Sequence, residues 1–482
     1  MCWYSAGRSE SHPETPMGKS EGRSAGAQKN GGVFSPQETE NIFKGPILRP
    51  LIRLSVPIYL GLLSQLMYYI ADTIWISRID LSDPSYVGGV GIIFPLLFAA
   101  LAISSGMLIG VGSLVARSIG ARDRKTLSCV AESGLLIAGT VSALVTVLCY
   151  VYAEHIVFSL GARGDYFIHA LEYLRFILPA AGMMIIGNVF LGLLQGAGQM
   201  RKVMIAMIIT TSINIILDPV FIFLLGMEVK GAGIATVIAQ AVTAVYLVPI
   251  FLKRKTLVKV EWKWRNIDFI AMKKIVAVGF PQTAGHMLLA LNFLIFNRIV
   301  VSIDQLALTA FSICGRFDQV LLLPLLAIAA AVITMTGQNF GRKQYVRVER
   351  IWRTGVFLGM AVIACIASVI VIFAPALFSF FTTIDAVVDY SVRQTRLVEF
   401  SYVLAVIADM GRASFQAVGK PIPALIITAL RLALIPLPAA YALVYGAGAG
   451  VYGVWYGIIL GNLFSAVAAS IWIKNYLTRK TV

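Results

Sequence analysis

Charge is scarce in this chain. Of 482 residues only 13% are Asp, Glu, Lys or Arg, 58% are hydrophobic, and mean hydropathy is +0.81. A soluble domain carries about 25% charged residues, so a globular enzyme with a solvated surface is excluded and a polytopic membrane protein remains. Cysteine is also scarce. Cys129, Cys149, Cys314 and Cys365 fall in or beside apolar runs and Cys2 lies near the N-terminus. None has metal-ligand spacing and no disulfide framework is implied, so they read as small packing residues. The glycine-rich patches Gly88-Gly89-Val90-Gly91 and Gly231-Ala232-Gly233 have no strand before them and no Lys-Ser/Thr after them, and no haem or zinc motif occurs. Nucleotide-driven pumping therefore has no support, and neither has a resident cofactor. Residues 1–45 lack any apolar stretch, which excludes a signal peptide and reads as a disordered cytoplasmic tail.

What the chain does have is twelve apolar runs, each long enough for the roughly 20 residues a crossing needs. They lie near 54–77, 88–113, 127–152, 167–190, 203–225, 231–252, 275–300, 306–336, 351–374, 392–412, 422–445 and 451–474. The loops between them alternate in charge. One set holds Arg117, Arg122, Arg124 and Lys125, then Arg201 and Lys202, the basic stretch from Lys253, Arg342 to Arg353, and Arg412 with Lys420. The other set holds Asp80, Asp83, Asp165, Glu228, Asp304, Asp385 and Asp389. The net charge of +16 is thus a positive-inside pattern rather than a nucleic-acid surface. It predicts a multi-pass protein of the cell membrane with both termini cytoplasmic. The longest basic connection divides it: a first lobe over 46–252, a cytoplasmic linker over 253–274 containing Trp262 and Trp264, and a second lobe over 275–482.

The two lobes resemble each other. "SVPIYLGLLSQLMYYIADTIWISRID" ends 224 positions before "GFPQTAGHMLLALNFLIFNRIVVSID", with Pro57 on Pro281 and Asp80 on Asp304. "SIGARDRK" matches "NFGRKQYV", and "LLQGAGQMRK" matches "SFQAVGKPIP", with Gly198 on Gly419. An even number of spans separates equivalent points, so both halves share one topology. The expected fold is an all-α membrane protein, twelve helices in two six-helix lobes, with a pseudo-twofold axis along the membrane normal and a path between the lobes.

Two carboxylates sit at bilayer depth in the first lobe, Asp72 in span 1 and Asp218 in span 5. Each costs about 2.5–3.5 kcal/mol to insert, and such residues usually face a cavity and bind ions or protons. Their repeat positions are Phe296 and about Leu437, so the second lobe lacks both. Gln65, Tyr68, Asp72 and Trp75 recur at helical spacing on span 1. Asn214 shares a face with Asp218, and Pro219 follows at once and frees a carbonyl by bending the helix. Thr236 and Gln240 on span 6 and Asn188 on span 4 complete the polar set. Hard oxygen ligands suit Na⁺, and a carboxylate in a dry lobe suits a proton; helix-to-helix bonding is the plainer alternative for the amides and hydroxyls. In the second lobe Arg298, Arg316 and Arg431 have Asp318 and Asp409 as candidate partners, and structural ion pairing or snorkelling near span ends is the favoured reading over a cationic wall. Glu132, His169, Glu172, Arg175 and Glu399 are assigned to interfaces. Met183, Met184, Met287, Phe293 and Phe296 suit plain packing or a promiscuous apolar pocket; Gln65, Tyr68, Met287 and Phe296 are the substrate-cleft candidates.

"ADTIWISRID" with "VGGVGIIFP", "GSLVARSIGARDRK", "LLQGAGQMRKVMI", "SINIILDPVFIFLLG" and "KGAGIATVIAQ", in this order over residues 50–475, resemble the multidrug and toxic compound extrusion (MATE) family. The resemblance implies two six-helix lobes around a V-shaped cleft and extrusion of small organic, often cationic, compounds in exchange for Na⁺ or H⁺, by a functional monomer in the lipid bilayer. It assigns the coupling-cation role to Asp72, Asn214, Asp218, Thr236 and Asn188, with Na⁺ at the first four of these in a sodium-coupled member. It assigns no role to Asp409, which is out of register with the acidic set of another branch. Two other readings compete with it. A flippase for a lipid-linked or anionic metabolite needs several cavity arginines, against the acidic first lobe. A membrane-embedded polyprenyl transferase needs an Asp-rich loop for Mg²⁺, which is missing.

Overall fold

The computed structural model describes residues 42–80, 82–253, 256–258, 260 and 267–481. Trp262 and Trp264 of the expected linker, and residues 1–41 of the expected tail, lie outside the described residues. Helices dominate: α1 Leu48–Ser77, α2 Ser85–Gly120, α3 Arg124–Val151, α4 Ala153–Ser159, α5 Asp165–Gly196, α6 Met200–Pro219 and α7 Glu228–Leu252 form the first lobe. The second holds α8 Phe269–Val301, α9 Gln305–Gly341, α10 Tyr345–Phe381, α11 Asp385–Val398, α12 Ser401–Ala417, α13 Pro421–Ala429, α14 Pro436–Tyr441 and α15 Val451–Thr481.

Eleven crossings among the described residues are long and apolar enough to span a bilayer. The run expected near 392–412 is instead split into α11 and α12 at Glu399-Phe400, which is why neither piece reaches spanning length. Span 5 continues past Pro219 as a π-helical turn, Val220–Leu224, and span 11 carries such turns at Leu430–Leu434 and Ala442–Gly446. Proline removes the donor that a regular turn needs, and π-turns cluster at functional sites. Ile42–Gly45, placed in the tail by composition, are packed against the second lobe. Ile42 and Phe43 are buried in its core, and Arg347 donates to the carbonyls of Ile42, Lys44 and Gly45.

The lobes meet through symmetric pairs of helices. Span 1 (α1) packs on span 8 (α9), and span 2 (α2) on span 7 (α8), which are the same pair under an exchange of halves. At the basic end a clasp repeats in register. Ser113 Oγ donates to the Gln416 carbonyl at 2.6 Å, and Thr334 Oγ1 donates to the Gln195 carbonyl at 3.0 Å. A Cβ on Gly120 would strike the Gln338 carbonyl, and one on Gly341 the Arg117 carbonyl. All of these pairs are related by the spacing that places Gly198 on Gly419. Glycine is required at 120 and 341 because backbone meets backbone there.

Candidate functional site

In the first lobe, span 6 is drawn against the π-turn of span 5 because Gly231 has no side chain; a Cβ there would lie 2.7 Å from the backbone of Phe221. This brings Thr236 to the centre of the lobe. Asn214 Nδ2 donates to Asp218 Oδ1 and to Thr236 Oγ1, both at 3.1 Å, and the Thr236 hydroxyl donates to the Ala232 carbonyl at 3.0 Å. Asn214 and Asp218 are fully buried. Tyr68 reaches Thr236 from span 1 and interacts with both Asp72 and Asp218. Tyr173, buried on span 4, lies near Asp72, Asp218 and Tyr68.

Three acceptor oxygens of this neighbourhood, Asp72 Oδ1, Asn214 Oδ1 and Asp218 Oδ2, are buried with no hydrogen-bond partner among the described residues. A buried oxygen left unpaired costs about 1–3 kcal/mol, more when charged, so the arrangement invites a cation or a proton. The donor set is all oxygen, two carboxylates with a neutral amide and hydroxyl, which fits a hard monovalent ion. Among the described residues no group of three or more His, Cys, Asp or Glu is assembled to hold a more highly charged metal.

The second lobe has two polar clusters. Asp409 is clamped by Arg412 Nε at 3.1 Å and by Arg431, while Arg412 also reaches Gln282 at 2.7 Å and Gln416 at 3.0 Å. Asp318 accepts from the Tyr402 hydroxyl at 2.7 Å and meets Glu399, which lies buried at the break in span 10.

The fold thus builds two lobes with a polar centre in each, and a model of the MatE family matches the chain twice, at residues 57–220 and 281–442. The chain belongs to the MatE family. Its relatives include the multidrug export protein MepA of Staphylococcus aureus, 23% identical over 442 residues, 91% of this chain and 96% of that protein. The probable multidrug resistance protein NorM of Thermotoga maritima is 26% identical over 87% of this chain and 90% of that one. Among solved structures, the outward-facing conformation of a multidrug resistance MATE family transporter superposes with a TM-score of 0.86 at 27% identity, over 92% of this chain and 98% of that one.

In this MatE chain, Asn214 meets Asp218 as their i, i+4 spacing predicts, Thr236 of span 6 joins them and Asp72 of span 1 lies near, but other expectations need correction. Asn188 is not in the set. Its amide donates to Ser104 on span 2, and it stands fifteen positions from Tyr173 on the same helix, about 22 Å along the axis. Tyr68, expected in the cleft, joins the carboxylate cluster. Phe296 is 2% exposed and packs edge-on against Phe311 inside the second lobe, so it lines no cleft. Gln65 is half-buried and donates to the Tyr69 hydroxyl at 3.4 Å, while Met287 is exposed on span 7. Glu399 is not interfacial, and Arg412 is not a loop cation but a buried member of α12. Its i, i+3 spacing from Asp409 was the available signal. Arg431 is ion-paired, and Arg298 and Arg316 are exposed with no salt bridge among the described residues, in keeping with ion pairing for the first and snorkelling for the other two.

Proposed function

We propose that this MatE protein is a secondary active efflux transporter that exchanges small organic, often cationic, compounds for H⁺ or Na⁺ by alternating access, as a monomer in the cell membrane. The observation that carries this reading is the set of buried, unpartnered oxygens of Asp72, Asn214 and Asp218 inside one lobe. The relatives named as multidrug exporters support the substrate class. By the positive-inside pattern the basic end, and with it both termini, is cytoplasmic. The clasp then closes the cytoplasmic side and leaves the cleft facing outward.

In the mechanism that follows, a cation at Asp72 and Asp218 links spans 1, 5 and 6. Pro57 within α1 and the π-turn after Pro219 give spans 1 and 5 places to bend. Bending changes the face that span 1 presents to the cleft, so cation and organic compound favour different states, and linkage couples their affinities. The reading as a flippase of lipid-linked or anionic compounds loses support, because Arg431 and Arg412 share Asp409 instead of lining an open cavity.

The test is efflux of a fluorescent organic cation from proteoliposomes under an imposed Na⁺ or proton gradient, with Asp72→Asn and Asp218→Asn as controls. Efflux that follows one gradient and fails in both variants supports the proposal and names the ion. A folded protein that responds to neither gradient overturns it.

A further inference from the structure

The seam between spans 2 and 7 ends in a polar aromatic step. From the basic end, Gly110 lies against Ile275, then Gly106 against Gly279, and Thr283 Oγ1 donates to the Ala102 carbonyl at 3.1 Å. Next along the seam, Ser105 and Phe98 of span 2 meet His286 of span 7: Ser105 Oγ is 3.3 Å from His286 Nδ1, and the Phe98 and His286 rings are 6.0 Å apart. Further toward the acidic end, the residues next in the same register, Phe94 and Leu291, are 59% and 46% exposed. His286 and Phe98 thus stand where the two lobes begin to part.

The ring of His286 is held in one tautomer. Nδ1 is 3.0 Å from the Gln282 carbonyl, which can only accept, so Nδ1 carries the proton. Ser105 directs its own hydrogen to the Ala102 carbonyl at 2.9 Å and so also presents a lone pair to Nδ1. Only Nδ1 has a partner among the described residues, so in the neutral ring Nε2 is left as a bare acceptor. The turn that carries it is braced from behind, since Gln282 Oε1 accepts from Arg412 at 2.7 Å. A preoriented acceptor beside an aromatic face fits a flat ligand that carries N–H donors and a delocalised positive charge.

We propose that His286 Nε2 and the Phe98 ring form a substrate contact at the floor of the cleft, selecting planar organic cations with N–H donors. This rests on the efflux reading above, and names a specificity determinant for it that is separate from the carboxylate cluster.

Two probes separate the contacts: ethidium, whose planar cation bears amino N–H groups, and tetraphenylphosphonium, which has no N–H or O–H. Affinity is read by ethidium anisotropy on the purified protein, with tetraphenylphosphonium as competitor, and KM by efflux from proteoliposomes. His286→Ala is expected to weaken ethidium about five- to tenfold, the worth of one hydrogen bond, and to leave tetraphenylphosphonium within twofold. His286→Gln, which can return an acceptor, is expected to recover part of the loss, and Phe98→Ala to weaken both probes. An unchanged ethidium affinity in His286→Ala, or equal weakening of both probes, overturns the inference. Wild-type protein that binds with the expected selectivity but drives no efflux overturns the transport reading alone.

Discussion

Asp218 shows how much a single side chain must be excused by its neighbours. It is fully buried, one oxygen receives Asn214 and the other receives nothing. Replacing it with Asn removes the charge and keeps the shape, so Asp218→Asn should cut cation-driven efflux more than tenfold. The thermal midpoint should stay the same or rise, because a buried carboxylate costs more than an amide. A midpoint that falls by several degrees, with efflux intact, would mark Asp218 as a structural residue. Phe296 is the contrasting case. It fills the second-lobe core against Phe311, so Phe296→Ala should cost about 3–5 kcal/mol through the cavity left behind. Exposed Met287→Ala should stay within about 0.5 kcal/mol; denaturation in detergent would rank the two.

At the scale of elements, the ends and breaks of helices decide what their residues do. The N-cap of α9 is Asp304, whose Oδ1 accepts from Leu306 N at 2.8 Å and whose Oδ2 accepts from the Tyr390 hydroxyl at 2.8 Å. It lies outside the spans, and the Tyr390 hydroxyl, then the Leu306 amide, hold its carboxyl below the usual aspartate value. A depressed folded-state value means that this contribution to stability is present above about pH 3.9, the ordinary aspartate value, and is lost as pH falls through the lowered one. Tyr390→Phe should therefore lower the thermal midpoint slightly at neutral pH, and the difference from wild type should shrink under strong acid. A difference that stays constant across that range would dissociate the cap from Tyr390. The break at Glu399-Phe400 has the opposite character: it turns a residue that sequence position puts near a span end into one buried beside Asp318 and Tyr402.

For the whole molecule, the clasp at the basic end joins the two lobes. Its bonds recur in both halves, so neither lobe can withdraw without breaking an equivalent pair. Gly120→Val places a branched side chain against the Gln338 carbonyl. Spin labels across the basic end should then show longer distances than in wild type, with efflux reduced severalfold; an unchanged distance distribution would remove the clasp as the closing element. The amino-acid sequence by itself determined the membrane class, the doubling of the chain and the pairing of Asn214 with Asp218, because hydropathy, charge alternation and helical spacing are local properties. Only the tertiary structure decided the rest. Asn188 and Asp218 both lie in the first lobe, but their heights along the helices place them far apart. Phe296 and Met287 look alike in an apolar run, and rotation about the helix axis buries one and exposes the other. Tyr173 joins the carboxylates, and His286 meets Phe98, through contacts between spans distant in the chain, which no local pattern encodes.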